Sequence, residues 1–194
     1  LLIKIKKGAF GGRWAFPGGL VQVAEALDEA AKRELYEKTG VRDLYLEQLY
    51  TFGDAQRDPS ARTVAVSYFA LVPPLDHAPH SGEKYADINW FPVHALPELA
   101  YDHNAVAAYA LHRLQTKLSY TNIVYSLLSR EFTVAELQEI YEIILGRSLD
   151  RRNFRRKILS AGLLKPLSKT KGGAHRPAQL YAFTRRQPMN LDIL

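Results

Sequence analysis

Residues 19–41 read GLVQVAEALDEAAKRELYEKTGV, and no other stretch constrains the fold as tightly. Ala26, Leu27, Ala30 and Ala31 recur at three and four residues, which predicts a helix over 24–38. Gly40 stands where a left-handed residue would end it. On such a helix Glu34, Glu37 and position 38 project from one face. Carboxylates at that spacing make a hard oxygen site, suited to Mg²⁺ or Mn²⁺ and to the phosphate oxygens those ions bridge. Position 38, however, is Lys38. An ammonium there repels the cation that Glu34 and Glu37 would hold, and it can pair with Glu34 one turn away. The expected site has lost a ligand and gained the wrong charge.

The surrounding sequence predicts a layered α/β domain. LLIKIK at 1–6 suits a half-buried strand, and its position suggests a further strand upstream of Leu1. A glycine-rich turn and the segment RWAFPGG lead into the helix. Strands are expected over 44–52, 63–72 and 88–93. A helix follows from about Asp102 to Lys117, capped by Asp102 or Asn104. Strands interleaved with helices give a mixed sheet with flanking helices over residues 1–118.

After Leu118 the charge changes sign. Residues 1–118 carry 13 Lys+Arg against 14 Asp+Glu, whereas residues 119–194 carry 13 against 6. The whole positive excess sits in the second segment, as in a polyanion-binding module joined to a neutral one. SYTNIVYSLLSR (119–130) reads as an amphipathic helix. A second helix starts at Thr133, with Glu136 completing a capping box, and stops at Gly146. A third runs from Asp150 to Gly162, and two short strands follow at 163–167 and 178–184. Three helices and a hairpin are the order of a winged helix-turn-helix, an α+β unit. The third helix carries Arg151, Arg152, Asn153, Arg155, Arg156 and Lys157, and the hairpin carries Lys169, Lys171, His175 and Arg176. Arginines fork onto guanine or clamp phosphates, asparagine suits adenine, and a basic hairpin tip suits a groove edge. These ten residues are the expected contacts to double-stranded DNA.

Composition excludes other classes. The absence of cysteine removes disulfides, thiolate metal sites and cysteine nucleophiles. No run nears the ~18 apolar residues of a membrane span, and no leader pattern is visible, so a cytoplasmic protein without a membrane partner is expected. His77, His80, His94 and His112 share no metal-ligand spacing.

The spacing of Gly19, Glu25, Arg33-Glu34-Leu35, Glu37 and Gly40-Val41 resembles the Nudix box, G-x5-E-x7-R-E-U-x-E-E-x-G-U. Every defined position matches except the last glutamate, which is Lys38. The flanks RWAFPGG, DAQRDPSARTVAVSYFALV and INWFPVHALPELAYDH resemble the branch that handles ADP-ribose. With LDRRNFRRKIL and HRPAQLYAF behind it, the whole chain resembles the Nudix-related transcriptional regulators of NAD metabolism, the NrtR family. The resemblance implies a Nudix-like sandwich followed by the winged helix. It also implies a homodimer on palindromic operator DNA and ADP-ribose or a relative as effector. It further implies repression of NAD synthesis or salvage genes, with regulation of sugar catabolism as a related role. In Nudix hydrolases the residues matching Glu34, Glu37 and position 38 bind metal, and the one matching Arg33 orients a glutamate. Gly19, Glu25, Arg33, Glu34, Glu37 and Lys38 are therefore expected to form a vestigial box without catalytic residues, no required metal and at most weak Mg²⁺ binding.

The pocket itself is expected to survive. Trp14 and Phe16 are candidate aromatic walls, and the amides of Gly18 and Gly19 ahead of the helix suit a diphosphate. Arg13, Arg57 and Glu37 complete the expected ligand contacts, and Asp102-His103 either touches the ligand or caps the helix. The rival reading is an active ADP-ribose pyrophosphatase whose basic tail is incidental.

Overall fold

The computed structural model describes residues 1–41, 45–72, 85–172 and 177–189. The chain divides into two compact units, and the changeover after Leu111 falls inside a helix.

In the first unit β1 (Leu2–Lys4) is central, flanked by β2 (Trp14–Ala15) and by a strand further along the chain. The helix α1 (Leu27–Thr39) follows. It starts three residues later than its periodicity suggests because its N-terminus is fastened at Ala26, whose N–H donates to the Glu29 carboxylate at 3.1 Å. Its end is as expected: Gly40 has φ 71° and donates to the Tyr36 carbonyl. β3 (Tyr45–Phe52) and β4 (Ala65–Leu71) form a two-stranded sheet. β5 (Asp87–Asn89) completes the first sheet, antiparallel to β1 with Ile3 opposite Ile88. The expected strand over 88–93 is cut short, and a single 3-10 turn occupies Val93–Ala95 after Pro92. Ile3, Ala15 and Ala100 are buried at the centre, with Ile5, Phe10, Tyr85 and Ile88 packed on them.

α2 (His103–Tyr120) carries the chain across the changeover. Neither expected cap works through its side chain as foreseen. The Asp102 carboxylate is held by Arg57, and Asn104 instead accepts from Leu99 N–H and donates to the Pro97 carbonyl, pinning the loop before the helix.

The expected amphipathic helix over 119–130 is not formed. α2 runs on to Tyr120, and Ile123–Ser126 is a 3-10 turn. An amphipathic helix needs a wet face, but Thr121, Asn122, Ile123, Val124 and Tyr125 are all buried. Asn122 is the pin: its amide donates to the Gln187 carbonyl at 3.1 Å and its Oδ1 accepts from Met189 N–H at 2.8 Å. β6 (Phe132–Thr133) then leads into α3 (Val134–Leu145), where Thr133 and Glu136 form the expected capping box. α4 (Arg151–Ser160) is capped by Asp150, whose Oδ1 accepts from Asn153 N–H at 2.8 Å. β7 (Leu164–Lys171) and β8 (Ala178–Phe183) make the hairpin. β6 adds a third strand to it, antiparallel to β8, which two residues of sequence do not announce. Phe132, Leu137, Tyr141, Phe154, Ile158, Tyr181 and Phe183 are the core of this second unit. Arg186 fastens its end, donating to the carbonyls of Tyr125, Leu128 and Ser129.

Asn122→Ala leaves two groups without partners, one of them a main-chain N–H, in a setting where Asn122 is 1% exposed. Each such group costs ~1–3 kcal/mol. The urea midpoint followed by far-UV circular dichroism should fall accordingly, and an unchanged midpoint would show that this clamp is dispensable.

Candidate functional site

The face of α1 that the sequence marks is largely engaged from within, with Glu37 left half-exposed. Arg33 stands at its centre. Its Nε and Nη2 grip both oxygens of Glu25, at 2.6 and 2.9 Å, and Nη2 also donates to the Leu20 carbonyl at 3.2 Å. Its Nη1 reaches Glu34 Oε1 at 2.7 Å and Glu37 Oε2 at 3.5 Å. The hydrogen bond from Arg33 holds the Glu25 carboxyl below its ordinary range, and Glu25 and Glu34 raise the Arg33 guanidinium further still.

Lys38 takes the other oxygen. Its ammonium lies 2.7 Å from Glu34 Oε2, and it also donates to the Gly18 carbonyl. The Tyr85 ring centroid lies 5.3 Å from the nitrogen. The Lys38 side chain is 13% exposed, as is that of Glu34. Burial alone would push the Glu34 carboxyl up, but hydrogen bonds from Lys38 and Arg33 outweigh it and leave it lowered. The converse holds for Lys38: burial opposes its charge, and Glu34 with Tyr85 restores it, leaving its pKa raised. Gly19 makes the close fit possible, because a Cβ there would overlap the Glu34 carboxylate. Among the described residues no group of three His, Cys, Asp or Glu side chains is arranged to hold a metal ion.

The other expected ligand contacts are spread more widely. Gly18 and Gly19 do not sit at the helix N-terminus. α1 begins at Leu27, with exposed Leu20, Val21 and Val23 in between, so the turn lies beside the helix's third turn instead. Arg57 is not a solvated phosphate clamp. It is buried in a two-pronged pair with Asp102, at 3.0 and 2.7 Å, and reaches Thr63 Oγ1 at 3.3 Å. No local pattern could have announced a partner 45 residues away. Arg13 pairs with exposed Glu98 at 2.9 Å. Trp14 packs edge-on against Phe91, with centroids 4.8 Å apart. Phe16 lies 5.4 Å from the His103 ring, and its N–H donates to His103 Nδ1 at 3.0 Å.

In the second unit the basic helix is presented as the sequence implies. Phe154 and Ile158 are buried, while Arg151, Arg152, Asn153, Arg155, Arg156 and Lys157 are exposed. Two of these cross-brace the surface: Arg156 donates to Asn153 Oδ1 at 2.8 Å and Arg155 to the Tyr181 hydroxyl at 3.3 Å. In the hairpin, Lys169 and Lys171 are bound to carboxylates. They pair with Glu131 at 3.0 Å and Glu136 at 2.6 Å. Glu136 was legible as a cap, but its second oxygen was not legible as a partner of the wing. His175 and Arg176 lie outside the described residues, as do His77 and His80.

A Nudix box on an α/β domain, joined to a winged helix with an exposed basic helix, is the pattern of a ligand-responsive DNA-binding regulator of the Nudix type. Residues 1–114 match the NUDIX domain family, and residues 124–183 match the family described as the NrtR DNA-binding winged helix domain. The chain is 40% identical over 180 residues to the ADPR responsive transcriptional repressor NtrR of Acinetobacter baylyi, covering 88% of this chain and 69% of that protein. It superposes on Shewanella oneidensis NrtR complexed with a 27mer DNA with a TM-score of 0.79 and 32% identity, over 94% of this chain and 85% of that one. The NUDIX domain of the same Shewanella protein, complexed with ADP ribose, aligns with a TM-score of 0.52 and 34% identity, over 58% of this chain and 75% of that one. The chain belongs to the NrtR family of Nudix-related transcriptional regulators.

His103 supplies a pH test of this unit. Burial, with Arg57 adding to it and Asp102 opposing, lowers its pKa from 6.5 to about 4. The neutral ring is the form that accepts from Phe16. Below pH ~6.5 the unfolded chain takes up a proton that the folded one refuses, so stability should fall by ~1.4 kcal/mol per pH unit until pH ~4. His103→Gln should flatten that slope, as read from urea unfolding at several pH values.

Proposed function

We propose that this chain is an ADP-ribose-responsive transcriptional repressor, whose Nudix domain senses the nucleotide and whose winged helix holds operator DNA. The observation that carries this reading is the pairing, in one chain, of a Nudix box whose carboxylates are neutralised from within and a recognition helix whose cations face solvent. The first can bind a nucleotide without spending it, and the second can grip a polyanion.

In this reading Arg151, Arg152, Arg155, Arg156 and Lys157 meet phosphates and guanine edges, with Asn153 at an adenine once Arg156 releases it. Lys169, Lys171, His175 and Arg176 follow the phosphate backbone. Trp14, Phe16, Arg13, Glu37 and the Gly18-Gly19 turn line the effector site, and Arg57 orders it through Asp102. The protein acts in the cytoplasm as a homodimer on a palindromic operator near NAD-metabolism genes, with recognition helices about one turn, ~34 Å, apart. It has no appreciable hydrolase activity and no required metal. Among the described residues no helix is long and apolar enough to cross a membrane.

An operator titration by fluorescence anisotropy, repeated with ADP-ribose, tests both halves. ADP-ribose should weaken operator binding by ~5–150-fold, the range of a coupling of ~1–3 kcal/mol. Arg152→Ala or Arg155→Ala should cost ~1–3 kcal/mol at one base position. Salt-insensitive binding would refute the DNA role. Release of AMP and ribose 5-phosphate at ordinary enzyme rates, ~1–10³ per second, would make the protein a pyrophosphatase instead.

The wing gives a second test. Operator phosphates must displace Glu131 and Glu136 from Lys169 and Lys171. Exposed pairs of this kind are worth ~0.2–1 kcal/mol. Glu131→Gln combined with Glu136→Gln, the latter keeping an acceptor for the Thr133 cap, should therefore tighten operator binding by a few-fold at low salt. Unchanged or weaker binding would mean the wing lysines do not meet phosphates.

A further inference from the structure

The Nudix box implies a divalent metal, and the residues present do not fit one. A magnesium ion takes hard oxygen donors. On this face the oxygens of Glu25 and Glu34 are already engaged, and only Glu37 keeps an exposed carboxylate. Glu25 gives both to Arg33, Glu34 gives one to Arg33 and one to Lys38, and Glu37 lies 3.5 Å from Arg33.

The placement of Lys38 adds more than a lost ligand. A lysine on an exposed helix face usually extends into water, where a pair with a glutamate one turn away is worth only ~0.2–0.5 kcal/mol. This one is folded in. Its ammonium lies 2.7 Å from Glu34 Oε2 as an ion pair, donates to the Gly18 carbonyl, and faces the Tyr85 ring with 5.3 Å to the centroid. A carboxylate oxygen and a main-chain carbonyl, brought together around one positive centre, are a donor pair of the kind a hard cation bridges. The centre here is covalently part of the protein. It ties three separate pieces of the first unit together: the helix α1 at Glu34, the glycine turn at Gly18 and the start of the β5 segment at Tyr85.

We propose that the Lys38 ammonium is the resident cation of this pocket: it holds the glycine turn against α1 in place of a divalent ion, so that the site is assembled without metal and binds its diphosphate ligand independently of Mg²⁺. Lys38 is a positioning residue. Its side chain is 13% exposed and its ammonium is turned inward to Glu34 and Gly18, so it shapes the turn and does not contact the phosphates. The diphosphate part rests on the effector reading above, whereas displacement of the metal does not.

The test uses the full chain and two probes. The first is Mn²⁺ alone, followed by the loss of its free electron paramagnetic resonance signal. The wild-type protein should leave the signal unchanged in the submillimolar range, whereas Lys38→Glu should gain Mn²⁺ affinity by about tenfold or more, as changes in a metal's immediate surroundings do. Equal Mn²⁺ binding by both proteins overturns the proposal. The second probe is ADP-ribose, titrated calorimetrically in EDTA and in Mg²⁺. Wild type should bind alike in both, Lys38→Glu should bind only with Mg²⁺, and Lys38→Met should be weaker in both. Wild-type affinity that collapses in EDTA also overturns the proposal. Should ADP-ribose fail to bind in either buffer, the effector reading falls, and the Mn²⁺ comparison still decides the role of Lys38. If Lys38→Glu does not fold, Lys38→Gln carries the Mn²⁺ test, with a smaller gain expected because it removes the ammonium without adding a carboxylate.

Discussion

A carboxylate cannot be taken out of water without something positive to replace the water, and on α1 that requirement governs everything around Glu34. Its side chain is 13% exposed. One oxygen is met by a guanidinium that also grips Glu25, the other by an ammonium that also holds a main-chain carbonyl. Removing either cation would leave one oxygen of a largely buried carboxylate without its partner, which costs more than deleting the whole cluster. The cluster fixes two things at once: the course of the loop from Gly18 to Glu25 and the absence of a side chain at residue 19. If this cluster borders the effector site as proposed, its internally matched charges are in place before any ligand arrives, which lowers the ordering cost of binding.

The second unit solves the opposite problem. Its basic helix must keep many like charges together and exposed. Two buried side chains, Phe154 and Ile158, hold α4 against α3 and the hairpin, and Asp150 caps its start. The cations are then partly tamed by neutral partners, Asn153 and the Tyr181 hydroxyl, and in the wing by Glu131 and Glu136. Such contacts limit self-repulsion in the free protein while being weak enough for phosphates to displace. If the wing meets DNA as proposed, its grip depends on exchange, carboxylate for phosphate, so that part of the electrostatic attraction is held back until the right surface is presented.

What the sequence made legible follows the range of each interaction. The α1 box, the Gly40 cap, the Thr133–Glu136 box and the Asp150 cap are all decided within a few residues, and all are where local rules place them. The departures come from partners far along the chain. Arg57 is withdrawn from solvent by Asp102, and residues 121–125 lose their helix because Asn122 is claimed by Gln187 and Met189. Lys38 lies between these cases. Its pairing with Glu34 was readable from i,i+4 spacing, but the Gly18 carbonyl and Tyr85 were not, and they turn a surface pair into an enclosed one.

A sensor and a hydrolase place contrary demands on one pocket. A hydrolase must polarise the scissile phosphate in the transition state and release the fragments, and a bound divalent ion serves both ends. A sensor must let occupancy follow concentration, so consumption of the ligand in the site corrupts the signal. Losing a glutamate alone would stop the chemistry, but it would also leave a cavity with surplus negative charge facing a ligand that is itself negative. On the proposed reading, the cation at position 38 displaces the metal and keeps the charge balance with one substitution. The same proposal decouples occupancy from free Mg²⁺, because nothing diffusible is then needed to complete the wall. Only the ligand's differential affinity for the DNA-competent and DNA-released forms remains to set the response.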